Sequence, residues 1–287
     1  RQMCIRDSSI NFEIGEFVKK LKIRRNEIIE VTIVGNSTMR DLFFSLNVEP
    51  IGVKPYKSII ETAYLEEKLP STEMVVKAKD INLRINSEAL IYSPPLIASH
   101  IGSDVSAGLI ATDFFHNNKM KMLIDIGTNT EVVLGTPDKM LAASCPAGPA
   151  FEGGEITFGM PGYDGAIEKV DFNKNNFSYK TIGGSKPLGL CGSGLIDFLS
   201  VLVDNNIMNP LGKFELEKEA IYIDKNESIN LSRRDVSSLA QAKAANVCGQ
   251  ALVIKDFGTN IDQIDNERLN YAINLSKISE FVDELPY

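Results

Sequence analysis

In 287 residues the chain has no tryptophan, two histidines and four cysteines, and none of these is clustered. Cys4, Cys145, Cys191 and Cys248 stand singly, without a Cys-x-x-Cys pair, so the close spacing of ferredoxin-type cluster ligands is missing and these residues do not make the chain an electron carrier. His100 and His116 are not at metal-ligand spacing, which argues against a His/Cys metal site. No Gly-x-Ser-x-Gly elbow of a serine hydrolase is present. No apolar run approaches the ~18 to 20 residues of a membrane span, and the start lacks the hydrophobic region of a signal peptide. Basic charge is in deficit, 30 Lys and Arg against 38 Asp and Glu for a net charge of -8, which argues against a nucleic-acid surface. The charges are interspersed, as on a solvated face rather than a tail. Repeats and low-complexity segments are absent. The expectation is a soluble cytoplasmic protein whose 44% hydrophobic content suffices for roughly two domains.

What is present is glycine in three loops. Leu123-Ile-Asp-Ile-Gly-Thr-Asn-Thr-Glu-Val-Val-Leu-Gly135 runs from an apolar strand into Asp-x-Gly-Thr-Asn and out into a second strand. Gly127 lets the backbone approach an anion, and Thr128 and Asn129 add short hydrogen-bonding side chains to the backbone N–H groups. Asp125, at the strand end, is placed to hold Mg²⁺ or its water shell. An ordinary polar hairpin turn fits this segment taken alone. Two further loops follow, Ser144-Cys-Pro-Ala-Gly-Pro-Ala-Phe-Glu-Gly-Gly154 and Gly189-Leu-Cys-Gly-Ser-Gly-Leu-Ile-Asp197. The last opens a helix, whose N-terminal N–H groups and partial positive charge suit an anion; a serine N-cap at Ser193 is the equally simple structural alternative. Cys145 and Cys191, inside these loops, read as small buried side chains.

The order of motifs resembles the ATPase part of the reductive activators of corrinoid proteins, which have an actin, sugar kinase and Hsp70-like α/β fold. The match runs from about Glu30 to about Gly249. It rests on Val31-Thr-Ile-Val-Gly-Asn-Ser-Thr-Met39, Ile101-Gly-Ser-Asp-Val-Ser-Ala-Gly-Leu109, the Asp125 hairpin, Ala147-Gly-Pro-Ala-Phe-Glu-Gly153, Gly159-Met160 with Gly165-Ala-Ile167, Cys191-Gly-Ser-Gly194, and Arg234-Asp-Val236 leading into Ala240-Gln-Ala-Lys-Ala-Ala245. The resemblance implies an enzyme that uses ATP to push an electron from an iron-sulfur cluster onto the cobalt of an inactive corrinoid protein, its partner. ATP·Mg²⁺ would lie between two subdomains, with Asp125 acting through Mg²⁺ and the Gly127, Thr128 and Asn129 backbone on the phosphates. Gly148, Glu152, Gly192 and Ser193 would line the nucleotide side. Members of the family carry an upstream ferredoxin-like domain, a first Asp-x-Gly-Thr-Thr hairpin and a terminal Gly-Gly-Phe loop. Here the corresponding end reads Glu267-Arg-Leu-Asn-Tyr-Ala-Ile-Asn-Leu275. The chain is therefore read as an internal fragment, inactive alone, with a two-iron two-sulfur cluster expected only in the upstream domain; whether it dimerises is open.

The expected organisation is a non-native leader over residues 1–8, the remainder of a first ATPase subdomain over 9–118, and a second, truncated subdomain over 119–287, with the Asp125 hairpin facing a cleft. The spacing predicts a helix over Ile10–Leu21, a strand over Ile28–Val34, a helix after Gly35-Asn36-Ser37, strands at Met74–Ala78 and Leu83–Ile85, loops at Pro50–Lys57 and Tyr92–Pro95, and a helix over Asp104–Phe115. Strands follow at Met120–Ile126, Glu131–Leu134 and Met140–Ala143, strands and turns over Gly159–Lys180, and a long helix over Arg234–Phe257. Two other functions fit the residues. One is a small-molecule kinase of the same fold with Asp125 or Asp104 as base; the other is a non-catalytic scaffold.

Overall fold

The computed structural model describes residues 2–215, 218–224, 228–264 and 271–273, and the chain separates into two units, Arg1–Asn117 and Asn118–Tyr287. The first unit opens with helix α1 (Gln2–Leu21), which takes in residues ahead of the expected start at Ile10. Strand β1 (Glu30–Thr32) leads through Gly35 into α2 (Ser37–Phe43), where the Asn36 side chain accepts the Met39 N–H at 2.9 Å and caps the helix. Short helices α3 (Glu49–Gly52) and α4 (Ile59–Leu65) follow, then β2 (Met74–Lys77), β3 (Leu90–Ser93) and α5 (Ser103–Ala111). β3 is central, parallel to β1 and antiparallel to β2. Phe43, Phe44, Ala78, Ile81, Leu83, Ala89 and Ile91 form the core.

Three local expectations in this unit need correction. Leu83–Ile85 is not a strand, because its amides are spent locally: Leu83 N–H reaches Ala78 O at 3.0 Å, Ile85 N–H reaches Leu83 O at 3.0 Å, and Arg84 N–H meets Asn11 Oδ1 at 2.7 Å. Leu83 is a buried turn anchor, and a short apolar run cannot distinguish that role from a strand. The segment read as a loop from Tyr92 instead completes β3, which ends at Ser93, where Pro94 and Pro95 remove the next ladder donors. The loop read over Pro50–Lys57 begins inside α3, with Pro50 in the first turn where its missing N–H costs nothing.

The second unit is built on a four-stranded sheet and a three-stranded sheet. β4 (Lys121–Ile126), β5 (Asn129–Thr136) and β6 (Lys139–Pro146) form an antiparallel meander, and β12 (Tyr271–Ile273) adds in parallel beside β4. Within the segment Glu267–Leu275 this strand is the part that lies among the described residues. The other sheet has the order β8-β7-β9, from β7 (Ala166–Asn173), β8 (Asn176–Thr181) and β9 (Gly189–Leu190). Helix α6 (Gly192–Asp204) packs on β7 so closely that a Cβ at Gly194 would collide with the Ile167 carbonyl oxygen. Its buried Leu195, Phe198 and Leu202 follow the helical spacing and join Ile167, Val170 and Leu190 in the larger core.

A small antiparallel pair, β10 (Ala220–Tyr222) and β11 (Asn230–Ser232), leads into α7 (Arg233–Phe257). α7 buries Val236, Leu239, Ala242, Asn246, Gly249 and Val253, one stripe at intervals of three and four residues, and packs on β5 and β6. Gly249 seats over Cys145, and Gly258 in the left-handed region, with φ 82°, ends the helix. Val132 and Leu134 face this helix from β5, while Leu123 and Val133, on the opposite face of the sheet, are buried as well. Among the described residues no helix is long and apolar enough to cross a membrane.

Candidate functional site

The Asp125 hairpin forms as its alternation dictates. β4 and β5 pair with Asp125 opposite Glu131 and Ile126 opposite Thr130, leaving Gly127 and Thr128 as the turn. Gly127 N–H donates to Asn129 O at 3.0 Å and closes that turn, so this amide is spent within the hairpin. The turn is tied twice to the next glycine-rich loop. Gly148 N–H donates to Thr128 O at 2.8 Å, and the Thr128 hydroxyl donates to Glu152 Oε2. Gly148 has φ 82° and ψ 167°, a conformation left to glycine, and it redirects the chain from β6 into a 3-10 turn at Pro149–Glu152.

The third loop joins through its glycine. A Cβ at Gly192 would collide with the Phe151 carbonyl oxygen, so the start of α6 lies against the residue preceding Glu152. Ser193 is the second residue of the helix rather than its cap; Cys191 holds the cap position without a side-chain cap bond, and the Cys191 Sγ lies 3.4 Å from Ser193 Oγ. Asp125, Gly127, Thr128, Asn129, Gly148, Glu152, Gly192 and Ser193 are thus gathered on three contiguous segments of one unit by these contacts.

Two residues gain roles that the motif reading did not assign. Glu131 sits directly across from Asp125 and across from Ser144 on β6, whose hydroxyl donates to Glu131 Oε1 at 2.8 Å. Cross-strand partners share a face, so Asp125, Glu131 and Ser144 form one row. The period of two was visible in the sequence; the register that aligns the row was not. Burial, then the charge of Glu131 and that of Cys248, pushes the Cys145 thiol up, beside Gly249 of α7.

Asp235 is the second such residue. Its carboxylate accepts Ser232 N–H at 2.9 Å, Ser232 Oγ–H at 2.6 Å, Thr157 N–H at 2.9 Å and Thr157 Oγ–H at 3.0 Å, while Asp235 N–H returns a bond to Ser232 Oγ at 3.2 Å. This capping box fixes the start of α7 and pins the Gly153–Met160 loop to it. Burial alone would raise the Asp235 carboxyl, yet these Ser232 and Thr157 donors hold it below its ordinary range. Asp104, at the start of α5 in the other unit, is pushed up by burial, and its bond from the Val105 N–H at 2.9 Å offsets this only in part.

The donor chemistry around the hairpin suits a hard cation. Asp125, Glu131 and Glu152 supply carboxylate oxygens, and Thr128 and Ser144 hydroxyls orient two of them. Among the described residues no set of three or more His, Cys, Asp or Glu side chains is arranged to hold a metal directly. Mg²⁺ is ordinarily held by one or two carboxylates plus water and substrate phosphates, and the pair at 125 and 131 fits that mode.

Comparison with known proteins places the chain in a family. A model of the C-terminal domain of RACo, the ASKHA domain, matches residues 119–272, and a model of the RACo middle region matches residues 3–117. The corrinoid activation enzyme RamQ of Eubacterium limosum is 30% identical over 269 residues, 85% of this chain and 43% of that protein. The [Co(II) methylated amine-specific corrinoid protein] reductase of Methanosarcina barkeri is 25% identical over 304 residues, 97% of this chain and 52% of that protein. A solved structure of a reductive activator for corrinoid, iron-sulfur protein superposes with a TM-score of 0.77 at 30% identity, covering 90% of this chain and 43% of the other. The chain spans about half the length of the curated relatives it matches. Since the ASKHA model alone covers 119–272 of 287 residues, the chain belongs to the RACo family, with an actin-like ASKHA domain in its second half and the RACo middle region in its first.

Proposed function

We propose that this chain is the nucleotide-binding part of an ATP-dependent activator that drives one-electron reduction of cobalt(II) to cobalt(I) on a partner corrinoid protein. The observation that carries the proposal is the double tie from Thr128 to Gly148 and Glu152, which gathers glycine-rich segments into one site in a chain of the RACo family. Relatives named for corrinoid activation and for reduction of a Co(II) corrinoid protein support the substrate class.

In this proposal one electron passes from a reduced donor of iron-sulfur type to cobalt(II), giving cobalt(I) and the oxidised donor. Moving that electron uphill costs ~2.3 kcal/mol per 100 mV. Nucleotide can supply this only through a difference in affinity between conformations, one of which grips the corrinoid protein better. The Gly127–Asn129 turn and the Gly148 segment would seat the phosphates. Asp125 and Glu131 would hold Mg²⁺ through its water, the ion supplying neutralisation of phosphate charge.

The test is anaerobic spectroscopy of a cobalt(II) corrinoid protein mixed with a full-length family member carrying this segment. The unaltered protein should form cobalt(I) only with ATP. Asp125→Asn keeps the side chain's size but removes its charge, and should lower both ATP turnover and ATP-dependent reduction by at least ~100-fold while protein-to-protein contact survives. Reduction by Asp125→Asn at the parent rate would make Asp125 a plain turn residue. A second reading, the small-molecule kinase, draws on the Asp104 carboxyl raised by burial, which brings it nearer the range of a general base. ATP consumption that requires a sugar or carboxylic acid, with phosphate appearing on it, would replace the activator with that kinase.

A further inference from the structure

The three loops, joined through Thr128 and through the Gly192 approach to Phe151, carry no positive side chain. Residues 123–135, 144–154 and 189–197 contain no lysine or arginine, but include Asp125, Glu131, Glu152 and Asp197. Two backbone N–H groups that could have faced an anion, those of Gly127 and Gly148, are spent on Asn129 O and Thr128 O. The Glu152 carboxylate itself lies across the turn: Oε2 accepts the Thr128 hydroxyl, and Oε1 is 3.7 Å from the point where a Cβ of Gly127 would sit. A polyphosphate approaching this turn meets a carboxylate over its glycine. Phosphate loops that bind free anions place lysine, arginine or open N–H groups there.

We propose that Glu152 makes this loop selective for metal-complexed polyphosphate: its carboxylate, steadied by Thr128, repels a nucleotide whose phosphates are bare and tolerates one whose charge a divalent cation has neutralised. The inference rests on the nucleotide reading of the site and adds to it the form in which the ligand enters. It also gives the Thr128–Glu152 bond a purpose beyond tying two loops, since it holds the charge over Gly127 instead of letting it turn to solvent.

The experiment is phosphorus NMR titration of ATP with the chain, in excess Mg²⁺ and in excess EDTA, which reads dissociation constants into the millimolar range. Unaltered protein should bind ATP at least about tenfold more weakly in EDTA than in Mg²⁺, the scale of one repulsive charge near contact in a half-exposed site. Glu152→Gln keeps the size of the side chain and an oxygen for Thr128, and should tighten the EDTA dissociation constant by about tenfold. Glu152→Asp keeps the charge and should leave the EDTA constant weak. Thermal melting of each variant verifies the fold. An EDTA constant that Glu152→Gln leaves unchanged or weakens, or that Glu152→Asp tightens equally, overturns the inference. Equal binding by unaltered protein with and without metal overturns it too, while the nucleotide reading stands. No binding of ATP under either condition overturns the nucleotide reading, and this inference with it.

Discussion

Thr130 is fully buried on β5, and its hydroxyl oxygen has no hydrogen-bond partner among the described residues. Its cross-strand partner is Cys145, on the face that α7 covers. A buried hydroxyl left unpaired costs about 1 to 3 kcal/mol, and an apolar group of the same shape avoids that cost. Thr130→Val should therefore raise stability by about 1 kcal/mol in chemical denaturation, with the slope of the transition unchanged. A loss of stability instead would mean that the hydroxyl finds a partner in solution. The buried pair Arg40 and Asp41 behaves differently. Arg40 Nη2 meets Asp41 Oδ1 at 2.9 Å and Arg40 Nη1 meets Thr72 O at 2.8 Å, while Asp41 Oδ2 has no partner among the described residues. Burial pushes the Asp41 carboxyl up and Arg40 only partly offsets it, so removing either partner alone would strand a charge.

At the scale of an element, α7 shows how one carboxylate can set a helix start. Because the Asp235 carboxyl is held below its ordinary range, its contribution to stability is complete above an unfolded value of about 3.9 and is lost as pH falls through the lower folded value. Asp235→Asn loses the charge and leaves some of the four donors poorly met, at a cost of about 2 kcal/mol near neutral pH. Melting temperatures measured from pH 7 downward should converge between the two proteins as the native carboxylate is protonated. A gap that stays constant down to strong acid would show that the charge of Asp235 contributes nothing.

For the whole molecule, the division at Asn117 and Asn118 follows an exposed stretch, with Phe115 47% exposed and His116, Asn117 and Asn118 on the surface. Each unit has its own apolar core, around Phe43 and Ile91 in one and around Leu195 and Phe198 in the other. Limited proteolysis should cut between residues 114 and 120 before it cuts within either unit, leaving two resistant fragments. First cuts inside α5 or β4 would count against two separable units.

The strands around Asp125, the helix after Cys191 and the helix ending at Gly258 were legible in the chain, because periods of two and 3.6 and glycine punctuation are local properties. The ASKHA family was legible as well, since it is written in the order of short motifs. Leu83 and Ile91 show where such reading stops: both stand in short apolar segments, yet one anchors a turn and the other lies in the central strand, a choice made by where the backbone amides find partners. The same limit applied to the candidate site. Sequence determined that Asp125, Thr128, Glu152 and Ser193 belong to glycine-rich segments. Only the tertiary structure decided that Glu131 stands opposite Asp125, that Glu152 lies over Gly127 and that Asp235 secures the Thr157 loop, because register and side-chain hydrogen bonds across tens of residues depend on how the sheets and helices pack.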